Sequence, residues 1–195
     1  MASDMQALVC SQPGVLCRKT VPMPEPAEGQ VLLKVCALGI CGSDIHAFHG
    51  RQPMFSYPQV MGHEISAEVV KAGAGVSGFA AGQHVVAVPY QHCGQCIACR
   101  RGRANCCSGL SVMGVHRTGA MQEYIAVDSA YLITVDKMDH KDAAMIEPYA
   151  ISAHAVRRSG VQPGDQVLVA GTGAIGLGAA DICRALGAPV IVAET

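Results

Sequence analysis

The chain has 195 residues, of which 50% are hydrophobic and 15% are charged, and its formal net charge is -1. This balance excludes a mainly disordered chain, which would be polar and strongly charged, and it offers no cationic surface for sequence-independent binding to nucleic acid. The sequence contains no apolar run long enough to span a membrane, and its first ten residues lack the form of a signal peptide. We therefore expect a soluble, cytoplasmic protein with neither nucleic-acid nor membrane partners.

Residues from Met5 to about Val135 have the pattern of an all-β region. Short apolar stretches at 31–35, 67–70 and 85–88 are separated by Gly, Pro and Ser, which is typical of strands joined by tight turns.

The last part of the chain has a different pattern, in which helices and strands alternate. The segments 139–146 and 151–158 favour helices, and the segments 166–170 and 189–193 favour strands. Between the two strands lie a glycine-rich turn and a helical pattern that ends at Gly187. This change of composition predicts a domain boundary near residue 158.

Ten cysteines stand out, and four of them have a regular spacing. Cys93, Cys96, Cys99 and Cys107 form the pattern C-x2-C-x2-C-x7-C. Four thiolates at these gaps can surround a tetrahedral zinc ion completely, as in structural rather than catalytic sites. An iron–sulfur cluster is disfavoured, because the bacterial ferredoxin pattern has a shorter third gap and a proline after its last cysteine. From the spacing alone, Cys106 could replace Cys107 as the fourth ligand.

A second candidate metal group draws its residues from two segments of the chain. Cys41 opens the sequence Cys-Gly-Ser-Asp-Ile-His, and His63 and Glu64 follow Gly62. A thiolate, an imidazole and a carboxylate are a plausible zinc set that leaves one position open for a substrate. The residues alone leave other interpretations open: Cys41 and His63 could be core residues, and Ser43 could be only a helix cap.

The third group is the glycine-rich turn, Gly171-Thr172-Gly173-Ala174-Ile175-Gly176. It follows a predicted strand and opens a predicted helix, and Glu194 stands at the end of the next strand, which is the context of a dinucleotide-binding fingerprint. The pyrophosphate would bind at the helix N-terminus. Glu194 would accept hydrogen bonds from the ribose hydroxyls and repel a 2′-phosphate, so NAD is favoured over NADP. The alternative is a glycine-rich turn with no ligand.

The three groups, in this order, resemble the motifs of the zinc-containing medium-chain alcohol dehydrogenases over essentially the whole chain. The sequence is most similar to the polyol and sugar-acid branch, which contains the sorbitol, threonine and galactonate dehydrogenases. The segments 113–116, 122–124 and 145–148 resemble the bacterial galactonate dehydrogenase and starvation-sensing protein subgroup.

The resemblance implies a mainly β GroES-like domain over residues 1–158, followed by the first β-α-β unit of an α/β Rossmann domain over residues 159–195. A complete Rossmann domain has six strands, so we expect an N-terminal fragment that is inactive by itself. The full-length protein is expected to be a homodimer or homotetramer that oxidises a secondary alcohol of a polyol or sugar acid with NAD. The alternative is a non-catalytic zinc-binding module that associates with another chain.

The resemblance also implies roles for individual residues. Cys41 and His63 match the ligands of the catalytic zinc, with Glu64 or Glu147 as the third ligand. The structural zinc would be bound by the four spaced cysteines, and the resemblance selects Cys107 rather than Cys106 as the last of them. Zinc would polarise the substrate oxygen and the nicotinamide would accept the hydride.

Ser43 and His46 match the proton relay of the family, and Glu64 is a further candidate catalytic residue. The glycine-rich turn and Glu194 match the site for the cofactor. Ala67 and Ala120 replace glycines of the family pattern, and these exchanges could shift the backbone if those glycines have a positive φ.

Overall fold

The computed structural model describes residues 4–135 and 137–194, and the chain divides into two compact units, Met1–Ala144 and Met145–Thr195. Residues 1–3, which contribute to the signal-peptide argument, lie outside the described residues. None of the helices formed by residues 4–135 and 137–194 has the length and apolarity that crossing a lipid bilayer would require.

The first unit is mainly β, as predicted. Its described residues form the strands β1 (Asp4–Gln12), β2 (Val15–Pro22), β3 (Gln30–Gly39), β4 (Gln59–Val60), β5 (Glu64–Ala72), β6 (His84–Ala87), β7 (Tyr90–Gln91), β8 (Ser111–Val112), β9 (Tyr124–Asp128) and β10 (Leu132–Thr134). They also form the α-helices α1 (Gly42–Phe48), α2 (Ile97–Arg100) and α3 (His140–Ala144).

The strands of the first unit form three antiparallel sheets. The largest has the order β10-β6-β5-β3-β9, the second has the order β2-β1-β4, and β7 pairs with β8. The inward side chains of the five-stranded sheet form the main core, in which Val31, Leu33, Val69 and Val85 are almost completely buried. These are the small aliphatic residues that fit a pleated, buried surface.

The sequence prediction of an all-β region misses α1. Its segment begins where β3 ends, and Cys41 is the N-cap residue, with its Sγ accepting from the Ser43 N–H at 3.5 Å. The helix cap is therefore Cys41 rather than Ser43. Sequence periodicity could not show a helix of only seven residues with two buried side chains, Asp44 and Ala47.

The second unit contains α4 (Ile146–Ser159), β11 (Val167–Ala170), α5 (Ala174–Ala185) and β12 (Val190–Ala193). Strands β11 and β12 are parallel, in register from Val167 with Val190 to Ala170 with Ala193. The predicted strand–helix–strand unit is therefore present, and it begins the α/β part of the chain.

Helices α4 and α5 pack against each other inside the second unit. The buried Ser152 hydroxyl on α4 donates to the Pro148 carbonyl at 3.1 Å and to the Ile175 carbonyl at 2.9 Å. Gly178 on α5 permits this approach, because a Cβ there would stand 2.7 Å from the Ser152 oxygen. The compact units thus divide before α4, whereas the sequence predicts a domain boundary near residue 158, in the last turn of α4.

Candidate active site and metal centres

Cys93, Cys96, Cys99 and Cys107, called here the four-cysteine lobe, come together around one point. Their four Sγ atoms all lie within 4.8 Å of one another. The Cys96–Cys99 and Cys93–Cys107 sulfur distances are 3.4 and 3.5 Å, close to the edge of about 3.8 Å in a tetrahedron with Zn–S bonds of about 2.3 Å. The lobe therefore fits a zinc ion with a closed shell.

Backbone amides of the same segment point at these sulfur atoms. The N–H groups of Cys93 and Gly109 donate to the Cys107 Sγ, each at 3.3 Å, and the Cys96 N–H donates to the Cys93 Sγ at 3.4 Å. Such donors stabilise a thiolate relative to a thiol. The turns that space the ligands thus also prepare them to bind a cation.

These amides change the ionisation of the lobe. The Cys99 N–H is the largest cause that lowers the pKa of the Cys96 thiol, to about 5. The Gln95 N–H does most to lower the pKa of Cys93. Burial, followed by the neighbouring thiols, raises the pKa of Cys99. The lowered pKa values of Cys93 and Cys96 favour their thiolate forms, and thiolates favour capture of a metal cation.

Cys106 does not belong to this group of sulfur atoms. It is exposed, whereas the adjacent Cys107 is buried, and only Cys107 lies with the other three lobe cysteines. This geometry favours Cys107 over Cys106 as the fourth ligand, the choice that the spacing left open. The assignment of these four residues as zinc ligands remains a proposal.

Cys41, His63 and Glu64, called here the Cys41 site, form a second group whose ligand atoms lie within 4.8 Å of one another. His63 is 4% exposed and Glu64 is 7% exposed. Hydrogen bonding to His63 is the largest cause that lowers the pKa of the Cys41 thiol, and burial opposes it. A soft thiolate, an imidazole and a carboxylate held this close fit a zinc ion with a remaining position for an exchangeable ligand.

Asp44 connects the two segments that form the Cys41 site, a role that the sequence analysis missed. Its Oδ2 accepts from the Cys41 N–H at 2.9 Å, and its Oδ1 accepts from the Gly62 N–H at 3.2 Å. The Asp44 side chain is 3% exposed, so these bonds are shielded from water. The signal was an aspartate three residues after the cysteine that caps the helix, as in a capping box.

Gly39 makes space for the carboxylate of the Cys41 site. A Cβ at residue 39 would stand 2.1 Å from the Glu64 Oε2. Strand pairing sets this distance, because Gly39 at the end of β3 faces Glu64 at the start of β5. Any larger side chain at residue 39 would displace the Glu64 carboxylate.

The segment before His63 lies directly on the backbone of residues 114–121. A Cβ on Gly119 would be 2.3 Å from the Met61 carbonyl oxygen, and a Cβ on Gly114 would be 2.8 Å from the Gly62 nitrogen. Ala120 lies beside these glycines, and its backbone N–H donates to the Gly62 carbonyl at 2.9 Å. Among the described residues only glycines have a positive φ, so neither Ala67 nor Ala120 imposes that strain.

The two predicted relay residues lie on α1, immediately after the Cys41 cap. Ser43 is half-buried and His46 is exposed. Residues three positions apart lie on the same side of a helix, so α1 offers a short route from the interior towards solvent. Glu147 is on the first turn of α4 in the second unit, and its role as a zinc ligand remains a prediction.

The glycine-rich turn connects β11 to α5 in the second unit. Gly171 has a φ of +101°, and a Cβ on Gly176 would stand 2.1 Å from the Gly171 carbonyl oxygen, so the turn itself needs both glycines. Gly173 differs, because its φ is -67° and nothing lies within 4 Å of a Cβ placed there. The absence of a side chain at Gly173 would let an external group approach the backbone closely. The pyrophosphate of a dinucleotide is a group of this kind.

Comparison with known proteins identifies the class to which this fold belongs. Residues 27–137 match the family of the alcohol dehydrogenase GroES-like domain. The chain is a member of this family.

Particular relatives extend the similarity beyond that domain. L-galactonate-5-dehydrogenase from Escherichia coli K12 is 51% identical over 193 residues, which cover 99% of this chain and 57% of the relative. A zinc-binding dehydrogenase from Sinorhizobium meliloti 1021, solved with NADP, has a TM-score of 0.93 at 36% identity. The alcohol dehydrogenase RspB of E. coli CFT073, solved with NADH, has a TM-score of 0.92 at 34% identity.

Both solved structures cover 97% of this chain, and the chain covers 56% of each of them. The chain therefore spans about half the length of the relatives that it matches. These similarities confirm the predicted resemblance to zinc-type dehydrogenases with polyol and sugar-acid relatives, and they confirm the mainly β GroES-like fold.

Proposed function

We propose that this chain supplies the zinc-binding part of an oxidoreductase that takes a hydride from a secondary alcohol of a polyol or sugar acid and transfers it to NAD. The observation that carries this proposal is the Cys41 site, in which a thiolate, an imidazole and a carboxylate lie within 4.8 Å of one another at the base of α1. The similarity to L-galactonate-5-dehydrogenase supports a sugar acid as the substrate.

The Cys41 site would hold the catalytic zinc, and the four-cysteine lobe would hold a structural zinc. When bound, zinc supplies a Lewis acid for the substrate oxygen, and the nicotinamide supplies the hydride acceptor. Cys41 and His63 would bind the metal, and Glu64 or Glu147 would complete the set. Asp44 keeps the Cys41 and His63 segments at a fixed separation through its two backbone bonds.

The chain's own part in proton transfer would fall to α1. The Ser43 hydroxyl would take the proton of the substrate hydroxyl, and the exposed His46 imidazole would receive that proton and release it to solvent. The burial of His63 and Glu64 would keep bulk water away from a bound metal, while His46 is exposed to solvent.

In the second unit, the glycine-rich turn would bind the cofactor pyrophosphate through the N–H groups at the start of α5, at Ala174 and Ile175. Glu194 would accept hydrogen bonds from the adenosine ribose. Relatives of this chain hold NADP in one case and NADH in another, so the preference for NAD rests on the carboxylate of Glu194.

The direct test measures reduction of NAD and NADP with L-galactonate, sorbitol and L-threonine, using the longest polypeptide that the gene encodes. We expect turnover with at least one polyol or sugar acid, faster with NAD. The 195-residue chain alone should bind zinc but not turn over. No reduction of either cofactor by a zinc-loaded full polypeptide, with any of the three compounds, would contradict the proposal.

Two matched variants test the cofactor part separately. Gly173→Ala places a methyl group in open space, so we expect an unchanged melting temperature and loss of dinucleotide binding. Gly176→Ala places its methyl group against the Gly171 carbonyl oxygen, so the second unit itself should lose stability. Dinucleotide binding that is unaffected by Gly173→Ala would remove the turn from the cofactor site.

The proton relay predicts a specific pH effect. His46→Ala should lower the rate and change the pH–rate profile, whereas zinc content should not change because His46 is outside the Cys41 site. An unchanged profile would show that the imidazole does not carry the proton. Size-exclusion chromatography with light scattering tests the proposed dimer or tetramer on the same preparation.

A further inference from the structure

Thr172 holds the carboxylate of Glu194 against the glycine-rich turn. The backbone N–H and the hydroxyl of Thr172 both donate to the Oε2 of Glu194, the hydroxyl at 2.5 Å. The preceding Gly171 N–H donates to the Ala193 carbonyl at 2.7 Å. Two consecutive residues of the turn are thus bonded to Ala193, the last residue of β12, and to Glu194, which follows it.

The backbone conformation of the turn makes this contact possible. Gly171 has a φ of +101°, a conformation that only glycine adopts readily. It turns the chain so that the N–H and the hydroxyl of Thr172 face the same acceptor. Threonine is also stiff about its first side-chain torsion because it is β-branched, so little freedom is lost when its hydroxyl makes the bond.

An exposed glutamate without such an anchor would sample several rotamers. A mobile carboxylate could rotate away and make room for a 2′-phosphate, which would weaken its discrimination against NADP. A carboxylate fixed at the turn keeps its negative charge beside the place where the adenosine ribose would bind. The anchor therefore affects selectivity as well as affinity.

We infer that Thr172 is a positioning residue for nucleotide selection, which acts by holding Glu194 in the orientation that accepts a ribose diol and rejects a ribose 2′-phosphate. This inference rests on the proposed function, since it assumes that the turn binds a dinucleotide. It extends that proposal by adding a second residue to the selection of NAD over NADP.

The test uses the parts of NAD and NADP that contain the adenosine ribose, namely ADP-ribose with its ribose diol and 2′-phospho-ADP-ribose with its 2′-phosphate. Their dissociation constants are measured by isothermal titration calorimetry with the full chain and with Thr172→Val, which keeps the β-branched shape and the N–H but lacks the hydroxyl. Losing a hydrogen bond to a charged group should weaken ADP-ribose binding about fivefold to tenfold. The preference for ADP-ribose should fall by a similar factor.

Three further variants show whether the effect of Thr172→Val comes from its lost hydroxyl. Thr172→Ser keeps the hydroxyl, so both dissociation constants should return to within about twofold of the original values. Thr118→Val, an exposed threonine in the first unit, controls for the substitution itself. Glu194→Ala should abolish the preference for ADP-ribose entirely. Because Thr172 is exposed, the melting temperature of its variants should stay unchanged.

The outcomes separate this inference from the proposed function. If Glu194→Ala removes the preference while Thr172→Val leaves both constants unchanged, or tightens ADP-ribose binding, the role of Thr172 is wrong and the cofactor site stands. If the original protein binds neither compound, or if Glu194→Ala changes nothing, the cofactor site itself is overturned and the inference with it.

Discussion

The two groups of metal ligands in the first unit are built in opposite ways. The four-cysteine lobe takes all its ligands from one short loop, and the N–H donors that face its sulfur atoms come from the same loop. The Cys41 site combines the end of β3 with the start of β5, and its segments are held together by Asp44 and by glycine contacts. The lobe is therefore a local structure, whereas the Cys41 site depends on the tertiary fold.

This difference predicts that the lobe is most sensitive to loss of a ligand, and that the Cys41 site is also sensitive to residues that bind no metal.

Cys93→Ser should have the largest effect, because it opens a closed zinc shell. Structural zinc sites contribute about 10–16 kcal/mol of apparent binding free energy in small peptides, so we expect loss of one zinc per chain and rapid proteolysis of the loop. Zinc content by mass spectrometry and limited trypsin digestion measure the two effects. Cys106→Ser is the matched control and should keep all its zinc. If Cys106→Ser instead lost zinc while Cys107→Ser retained it, Cys106 rather than Cys107 would be the fourth ligand.

Gly39→Ala should empty the Cys41 site without changing any ligand. Its methyl group would clash with the Glu64 Oε2 at 2.1 Å, so zinc affinity at this site should fall about 10–100-fold, as for outer-shell changes elsewhere. Competition with a chromophoric chelator measures the affinity. Gly42→Ala is the control, since a Cβ there has nothing within 4 Å. Equal affinities in the two variants would mean that the Glu64 carboxylate does not need the space beside Gly39.

Asp44→Asn should loosen the connection between the two segments of the Cys41 site. The amide can accept one of the two backbone N–H bonds and presents its NH2 group to the other donor, which costs about 1–3 kcal/mol for a buried unsatisfied group. Urea unfolding measures the loss of stability. Asp142→Asn, at an exposed position on α3, should stay within about 0.5 kcal/mol of the original protein. A loss equally small at Asp44 would show that its carboxylate does not join the segments.

The smallest effect concerns the pH at which individual thiols ionise in metal-stripped protein. His63 lowers the pKa of Cys41, whereas burial and then Glu68 raise the pKa of Cys36, both relative to an ordinary value of 9.0. The thiolate of Cys41 should thus persist to lower pH, with the alkylation midpoint of Cys41 below 9.0 and that of Cys36 above it. Iodoacetamide labelling with peptide mass spectrometry measures both midpoints, and His63→Gln should raise that of Cys41. A reversed order would contradict the contact between Cys41 and His63.

The sequence predicted local features better than tertiary ones. The cysteine spacing predicts the four-cysteine lobe apart from the choice between Cys106 and Cys107, because the ligands come from one short segment of the chain. The strand–turn–helix pattern is sufficient to predict the glycine-rich turn, because the reasons for its glycines are local. The backbone of the turn itself needs Gly171 and Gly176, and Gly173 has open space beside it. The mainly β character of the first unit also follows from short apolar runs between turns.

The Cys41 site could not be derived from spacing, since Cys41 and Glu64 meet only through the pairing of β3 with β5. The resemblance to a known family suggested its members, and the structure brings Cys41, His63 and Glu64 together. The bridging role of Asp44 and the contact between Thr172 and Glu194 were missed, because each depends on a side chain that reaches a distant backbone segment. The short helix α1 was missed for lack of a repeating pattern.

We expect the chain to bind two zinc ions, one in the four-cysteine lobe and one at the Cys41 site. Native mass spectrometry of the purified chain, combined with elemental analysis, counts them. The number should be two per chain in the original protein and one per chain in both Cys41→Ser and Cys93→Ser. A single zinc that survives Cys41→Ser but is lost in Cys93→Ser would contradict the catalytic site and favour a non-catalytic zinc-binding module, and bound iron would contradict a structural zinc in the lobe.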